Sequence, residues 1–395
     1  MSDTRQRRAH CPGQWGRTNR ACGQEADPQG LISRRDFLRT VGAAGVVAGA
    51  APLAAAVAPR ALAPGAAPAA AAPQYAGRVI EVLGPEVLTG GAVRQDLVSR
   101  MVERGLLELT GVERVADAWS LFVTPDDVVG IKINTLSGPG CSSRREVVNA
   151  VIAGLRQAGV KDSNIIIWDR FESHLRRTGY AIQQRPGQIR CYATDSAGVG
   201  SDLDVYYEAN VADWIPDALK KTLDARRGIS YPNSHFSAIF TQHITKQINI
   251  PVLKDHNIAG VTLALKNVAF GICSNTERFH PTPINCDPMI AEVAAHPMVR
   301  SKNVLNIADC LSLVYEGGPI VDPEHVLPYR SILVGTDAVA IDSVGLDILE
   351  KIRRDKALPS LWKTNTPPKY LLSAAKMKLG VSELDAIEHR TLTVA

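Results

Sequence analysis

From residue 78 onward, short apolar runs alternate with stretches of helical periodicity. The runs 79–83, 128–133, 165–168, 248–253, 304–307 and 332–334 put β-branched and apolar side chains on successive positions, the pattern of strands covered on both faces. Between them, Val93, Leu97 and Met101 recur every four residues, as do Val98, Val102 and Leu106, and the single apolar stripe predicts a helix. Ser143-Arg144-Arg145-Glu146 reads as a capping box opening a helix through Leu155. Asp337 is placed to cap a helix running through Ile341, Val344, Leu346 and Ile348 to Lys351. Alternation of this kind predicts an α/β fold, a mostly parallel or mixed sheet flanked by helices.

The residues that end the strands add chemistry to this outline. Run 128–133 carries Lys132 and leads to Asn134, and run 165–168 leads to Asp169-Arg170. Run 248–253 leads to Lys254-Asp255-His256, run 304–307 to Asp309, and run 332–334 to Thr336-Asp337. Ligands of open α/β sheets lie outside the carboxyl ends of the strands, so these five ends predict one polar cleft. Residues 254–280 are the richest stretch, with Lys254, His256, Gly260, Lys266, Asn267, Gly271 and His280 within 27 positions. Lys266 sits among Val261, Leu263, Leu265, Val268 and Phe270, surroundings that lower a lysine pKa toward the range useful for proton transfer or anion binding. His256 and His280 could move a proton or ligate a metal. The candidate catalytic residues are therefore His256, Lys266 and His280. Lys132, Asn134, Asp169, Lys254, Asn267 and Asp309 are the candidate substrate-binding residues, and His256 and His280 are the candidate metal ligands.

Two further segments read as loops. Glu316-Gly317-Gly318-Pro319 is a turn by composition. The stretch 138–143, before a helix and beside Arg144 and Arg145, suits a phosphate or carboxylate, although it lacks the glycine patterns of nucleotide loops.

The first 63 residues change how the composition is read. Ser33-Arg34-Arg35-Asp36-Phe37-Leu38-Arg39 precedes a mild Ala/Gly-rich run (41–57) and small residues at Ala61-Leu62-Ala63, the form of a twin-arginine export signal. About 17 weakly apolar residues are too few for a stable membrane span. The expected organisation is a signal region (1–63), a Pro/Ala linker (64–76) and one α/β domain (77–395). The expected location is periplasmic or otherwise outside the cytoplasm, and the expected partner is the twin-arginine translocase. Export of a folded chain suits a cofactor loaded beforehand, whose identity stays unknown. The formal charge of +4 resides in the leader, which has nine Arg and four acidic residues, so the remainder is near −1. With an aromatic content of 5%, this gives no basis for a nucleic-acid partner. Five cysteines follow the leader (Cys141, Cys191, Cys273, Cys286, Cys310) without a C-x-x-C pair, so there is no iron–sulfur or structural zinc motif. Cys273 and Cys286 are the nearest pair for a disulfide.

The motifs VGIKIN (residues 129–134), IIIWDR (165–170), K-D-H…G-x-T-x-A-L-K-N-x-x-x-G (254–271), His280, N-I-A-D (306–309), E-G-G-P (316–319) and G-T-D-A-V-A-I-D (335–342) together resemble the DUF362 proteins. That is a family of unassigned function whose members often carry twin-arginine leaders. Members with an added ferredoxin-type domain have cysteines absent here, so the resemblance implies no iron–sulfur role. The order His256, Lys266, His280 is also similar to nickel-pincer lactate racemases, where such residues line the site of the pincer nucleotide and hydroxy acid. Two functions follow as alternatives: an enzyme whose cleft takes a small anionic substrate or cofactor, or a non-catalytic carrier of a metal or organic cofactor.

Overall fold

The computed structural model describes residues 60–62, 75–282 and 284–395. The expected leader and linker fall outside the described residues, apart from 60–62 and 75–76. A ten-stranded sheet organises the molecule. Eight of its strands lie in the order Glu388–Thr393, Arg78–Leu83, Val326–Gly335, Asn303–Val314, Lys246–Ile250, Val129–Ile133, Ile165–Asp169 and Arg190–Ala193. Val326–Gly335 runs antiparallel to both neighbours, and every other ladder along this path is parallel. The sheet is thus mixed and flanked by helices, as the alternation predicts.

Successive side chains point to opposite faces of a strand, and two cores follow from this. Ile131, Ile133, Ile165, Ile167, Ile248, Ile250, Leu305 and Ile307 pack with helices Gln95–Thr110 and Arg145–Gln157. Ile166, Trp168, Leu253, Ala308 and Leu333 pack on the other side with helices Ala264–Ile272, Met289–Ala295 and Ala338–Asp355.

The run 248–253 divides into strands Lys246–Ile250 and Val252–His256. Pro251 lacks the N–H that a central ladder requires. Before it the chain pairs with Val129–Ile133 and Asn303–Val314; after it the chain keeps only the second and turns back into the short strand Gly260–Thr262.

Two expectations are corrected. The Ser143 capping box does not form, because the Ser143 hydroxyl accepts from Asn134 N (2.8 Å) and donates to Ile250 O (2.6 Å), tying two strand ends together. Asp337 does cap helix Ala338–Asp355 by accepting from the N–H groups of Val339 and Ala340, but its strand is the antiparallel one. It therefore emerges at the opposite end of the sheet from the other four polar strand ends. The five cysteines are all buried free thiols, and Cys273 and Cys286 are not bonded.

A hairpin of Ser201–Glu208 and Asn233–Ser237 stands beside the main sheet, with Arg60–Leu62 as a third strand. Its connection contains helix Asp217–Arg227. Among the described residues no helix is long and apolar enough to cross a membrane.

Candidate functional site

Three adjacent strands carry the same local pattern, one polar residue between two large aliphatic ones: Ile131-Lys132-Ile133, Ile248-Asn249-Ile250 and Leu305-Asn306-Ile307. The register places Lys132, Asn249 and Asn306 side by side. Helix Ala264–Ile272 covers this row and contributes Lys266 and Asn267. Asn267 Nδ2 donates to Asn249 Oδ1 (2.7 Å), and Asn249 Nδ2 donates to Asn306 Oδ1 (2.9 Å) and Ala264 O (3.1 Å). The helix is thereby stitched to the sheet by amides. Gly271 lets Lys132 pass beneath it, since a Cβ there would stand 2.2 Å from Lys132 Cε.

Lys132 and Asp169 form a closed pair. Lys132 Nζ donates to Asp169 Oδ1 (2.8 Å) and Ile133 O (2.6 Å), while Thr135 N, Thr135 Oγ1 and Arg170 N donate to the same carboxylate. Burial presses both groups toward neutrality, but the Lys132 ammonium and these donors hold the Asp169 carboxyl below its usual range. Among the described residues Lys254 has no carboxylate within ion-pair distance. Its Nζ donates to Asn134 Oδ1 (2.7 Å), Ser137 Oγ (2.7 Å) and Cys141 O (3.4 Å), and burial lowers its pKa. Ser137 donates in turn to Pro319 O of the Glu316–Pro319 turn (2.6 Å).

Lys266 is 5% exposed and has no hydrogen-bond or ion-pair partner among the described residues; its ammonium rests 5.0 Å from the centre of the Phe270 ring. Burial brings its pKa down to about 8. Beside it lie His256 and His280, whose rings are 6.1 Å apart and inclined by 26°. His280 also meets the Phe270 ring edge-on at 5.3 Å. His256 Nδ1 accepts from Ile258 N and Ala259 N, both at 3.1 Å, so the neutral ring carries its proton on Nε2. Burial first, and then the neighbouring Lys266, hold both imidazoles well below their usual pKa. The segment after His280 contains Asn285 (φ 51°) and Cys286 (φ 66°), two non-glycine residues in the left-handed region that only their surroundings can hold.

The structure brings together eight of the nine residues singled out from the sequence: Lys132, Asn134, Asp169, Lys254 and Asn267 in one bonded network, and His256, Lys266 and His280 next to it. Asp309 is not bonded to them; it lies at the start of helix Arg145–Gln157, near enough to Lys254 for its charge to favour the ammonium. It accepts from Arg144 N (2.8 Å) and Arg144 Nη1 (3.2 Å), so the anion position expected at that helix start is held by the protein's own carboxylate. Among the described residues no three His, Cys, Asp or Glu side chains stand together as metal ligands. Asn249 went unnoticed in the sequence and Asn306 entered only within the motif N-I-A-D; Ser137 and Thr135 also went unnoticed. The signal for the first two was a lone amide flanked by aliphatics, repeated in two strands and matched by Lys132 in a third.

A family model described as a domain of unknown function, DUF362, matches residues 129–347, which include the whole of this site. The chain belongs to the DUF362 family. No curated protein matches this DUF362 chain. A crystal structure of a Thermotoga maritima protein is similar at 13% identity with a TM-score of 0.37, over 69% of this chain and 61% of that protein, so the chain spans about three-fifths of its length.

Proposed function

We propose that this protein binds a small organic anion at Lys266 and acts on it by proton transfer. The observation that carries the reading is the unpaired, buried Lys266 ammonium beside two neutral imidazoles. Burying a lone ammonium is costly, and a ligand carboxylate or phosphate would supply the missing charge. His256, with Nδ1 fixed as an acceptor, would offer its Nε2–H to the ligand and stay neutral. His280 would serve as acid or base. Three basic groups in one desolvated place suppress one another's protonation, so an entering anion would raise the basicity of His280 as it binds. Ligand binding itself would then arm the base. The likeness in order of these residues to the lactate racemases makes lactate the first anion to test.

Lys266→Met is expected to remove lactate binding in a calorimetric titration. It is also expected to raise stability at neutral pH by about 1–3 kcal/mol, since one pKa unit corresponds to about 1.4 kcal/mol. The sign follows from the lowered pKa: the charged lysine burdens the fold fully below about pH 8, and the burden fades as pH rises toward the unfolded value. Equal binding of lactate and phosphate by wild type and variant would sink the proposal. A carrier holding the same anion without turnover is favoured by the near-complete burial of His256 and Lys266. Mass spectrometry of small molecules released from protein purified from cells, followed by a turnover assay on them, separates carrier from enzyme.

The leader supports a place of work outside the cytoplasm. Replacing Arg34 and Arg35 by Lys is expected to leave the protein in the cytoplasmic fraction, and unchanged export would refute a twin-arginine route.

A further inference from the structure

The motif G-T-D-A-V-A-I-D contains a second aspartate that the ligand site does not use. Asp342 lies in helix Ala338–Asp355 and is fully buried. Its Oδ1 accepts from Ala264 N (2.6 Å), its Oδ2 accepts from Leu265 N (3.3 Å), and the Tyr370 hydroxyl donates to Oδ2 (2.9 Å). Ala264 and Leu265 are the first two residues of the helix that carries Lys266 and Asn267. Every helix start leaves N–H groups without internal partners, and the residue before this one, Leu263, has no side-chain oxygen to offer. The helix is thus capped by a carboxylate 78 positions later in the chain. A second observation points to the same seat. Gly345, one turn beyond Asp342, lets helix Ala338–Asp355 press against the helix start, where a Cβ would stand 2.4 Å from Leu263 Cδ2.

We propose that Asp342 is a positioning residue whose ionised carboxylate clamps the start of helix Ala264–Ile272, so that protonating it loosens Lys266 and weakens the anion site. This rests on the reading of Lys266 as the anion-binding residue. An ionised carboxylate accepts hydrogen bonds more strongly than its acid and favours the positive end of the helix; the acid gives up much of that hold one residue away from Lys266.

The groups around Asp342 are few. Tyr370 donates to it from helix Lys369–Lys376, the two N–H groups face it from the site helix, and Asp337 lies on its own helix; among the described residues no cation pairs with it. Burial raises its pKa to about 7, with Tyr370 and the two N–H groups acting in the opposite sense and Asp337 adding to the rise. Around Lys266 are the Cys286 thiol, Lys254 and the two imidazoles, and burial brings its pKa to about 8. Anion binding needs Asp342 ionised and Lys266 protonated, which predicts a narrow bell with its maximum between the two values.

The test is calorimetric titration of the full chain with lactate, whose carboxyl stays ionised from about pH 5.5 to 9.5. Wild type is expected to lose affinity by up to about tenfold per pH unit below the Asp342 midpoint, and again above the Lys266 midpoint. Asp342→Asn, which keeps an acceptor for the helix but cannot titrate there, is expected to lose the acidic limb and keep the alkaline one. Tyr370→Phe removes one donor to the carboxylate and is expected to move the acidic limb to higher pH, which keeps the test open should the first variant fold poorly. A wild type without an acidic limb, an acidic limb that persists in Asp342→Asn, or one unmoved in Tyr370→Phe would each overturn the proposal. No lactate binding at any pH would overturn the reading of Lys266 itself, and so separates the two failures.

Discussion

Lys132, Lys254 and Lys266 lie in one buried region, yet each meets different surroundings. Lys132 has a carboxylate, Lys254 has only neutral oxygens, and Lys266 has an aromatic face. Desolvation acts on all three, so their order of compensation is also an order of readiness to accept an outside anion. Lys132 is the one whose pairing serves the fold, and Gly271 shows how tightly. The Lys132 side chain is pinned at both Asp169 and Ile133 O and cannot swing away from an added methyl group. Gly271→Ala is therefore expected to destabilise the protein by about 1–3 kcal/mol through overpacking. The measurement is a urea denaturation midpoint, and an unchanged midpoint would show that the Lys132–Asp169 pair yields more freely than its bonding implies.

The strands and helices were legible in the sequence to the extent that one kind of pattern governed them. Six aliphatic runs marked strands of the sheet, one of them spanning two strands, because burial on both faces leaves little other choice of residue. The apolar stripe around Leu97 and Met101 marked its helix for the same reason, and that helix is Gln95–Thr110. Patterns that depend on a partner distant in sequence were misread. Ser143 has the spacing of a cap, but strand ends bring Asn134 N and Ile250 O to its hydroxyl, and those bonds win. Strand direction is also silent in composition, so nothing in Ile332–Val334 told that Asp337 would leave at the far end. Lys266 was found because a lysine inside an apolar helix contradicts its own surroundings, and such contradictions survive in the sequence whatever the topology.

At the level of the whole molecule, the mixed sheet gathers the lysines and amides of the site on its central strands, and a smaller polar group, Glu81 with Ser331 and His389, lies toward its edge. Two cores, one on each side, cover the sheet, and strands Val129–Ile133, Ile165–Asp169 and Val252–His256 are buried along their whole length. Helix Asp217–Arg227 sits at the edge of this arrangement. None of its residues is fully buried, Leu219 is exposed, and only Leu223 packs against the core, with Arg227 donating to Glu277 O. Eleven residues with so small an apolar contact hold a helix only weakly, so its hydrogen bonds open at little expense to the rest of the fold. The consequence is a preferred point of attack for a protease. Brief digestion of the native protein with trypsin is expected to cut first among Lys220, Lys221, Arg226 and Arg227, giving two fragments that stay associated through the sheet. First cuts elsewhere would mean that something holds this helix that its own packing does not reveal. This segment, rather than the site, would then set how long the protein lasts in the presence of a peptidase.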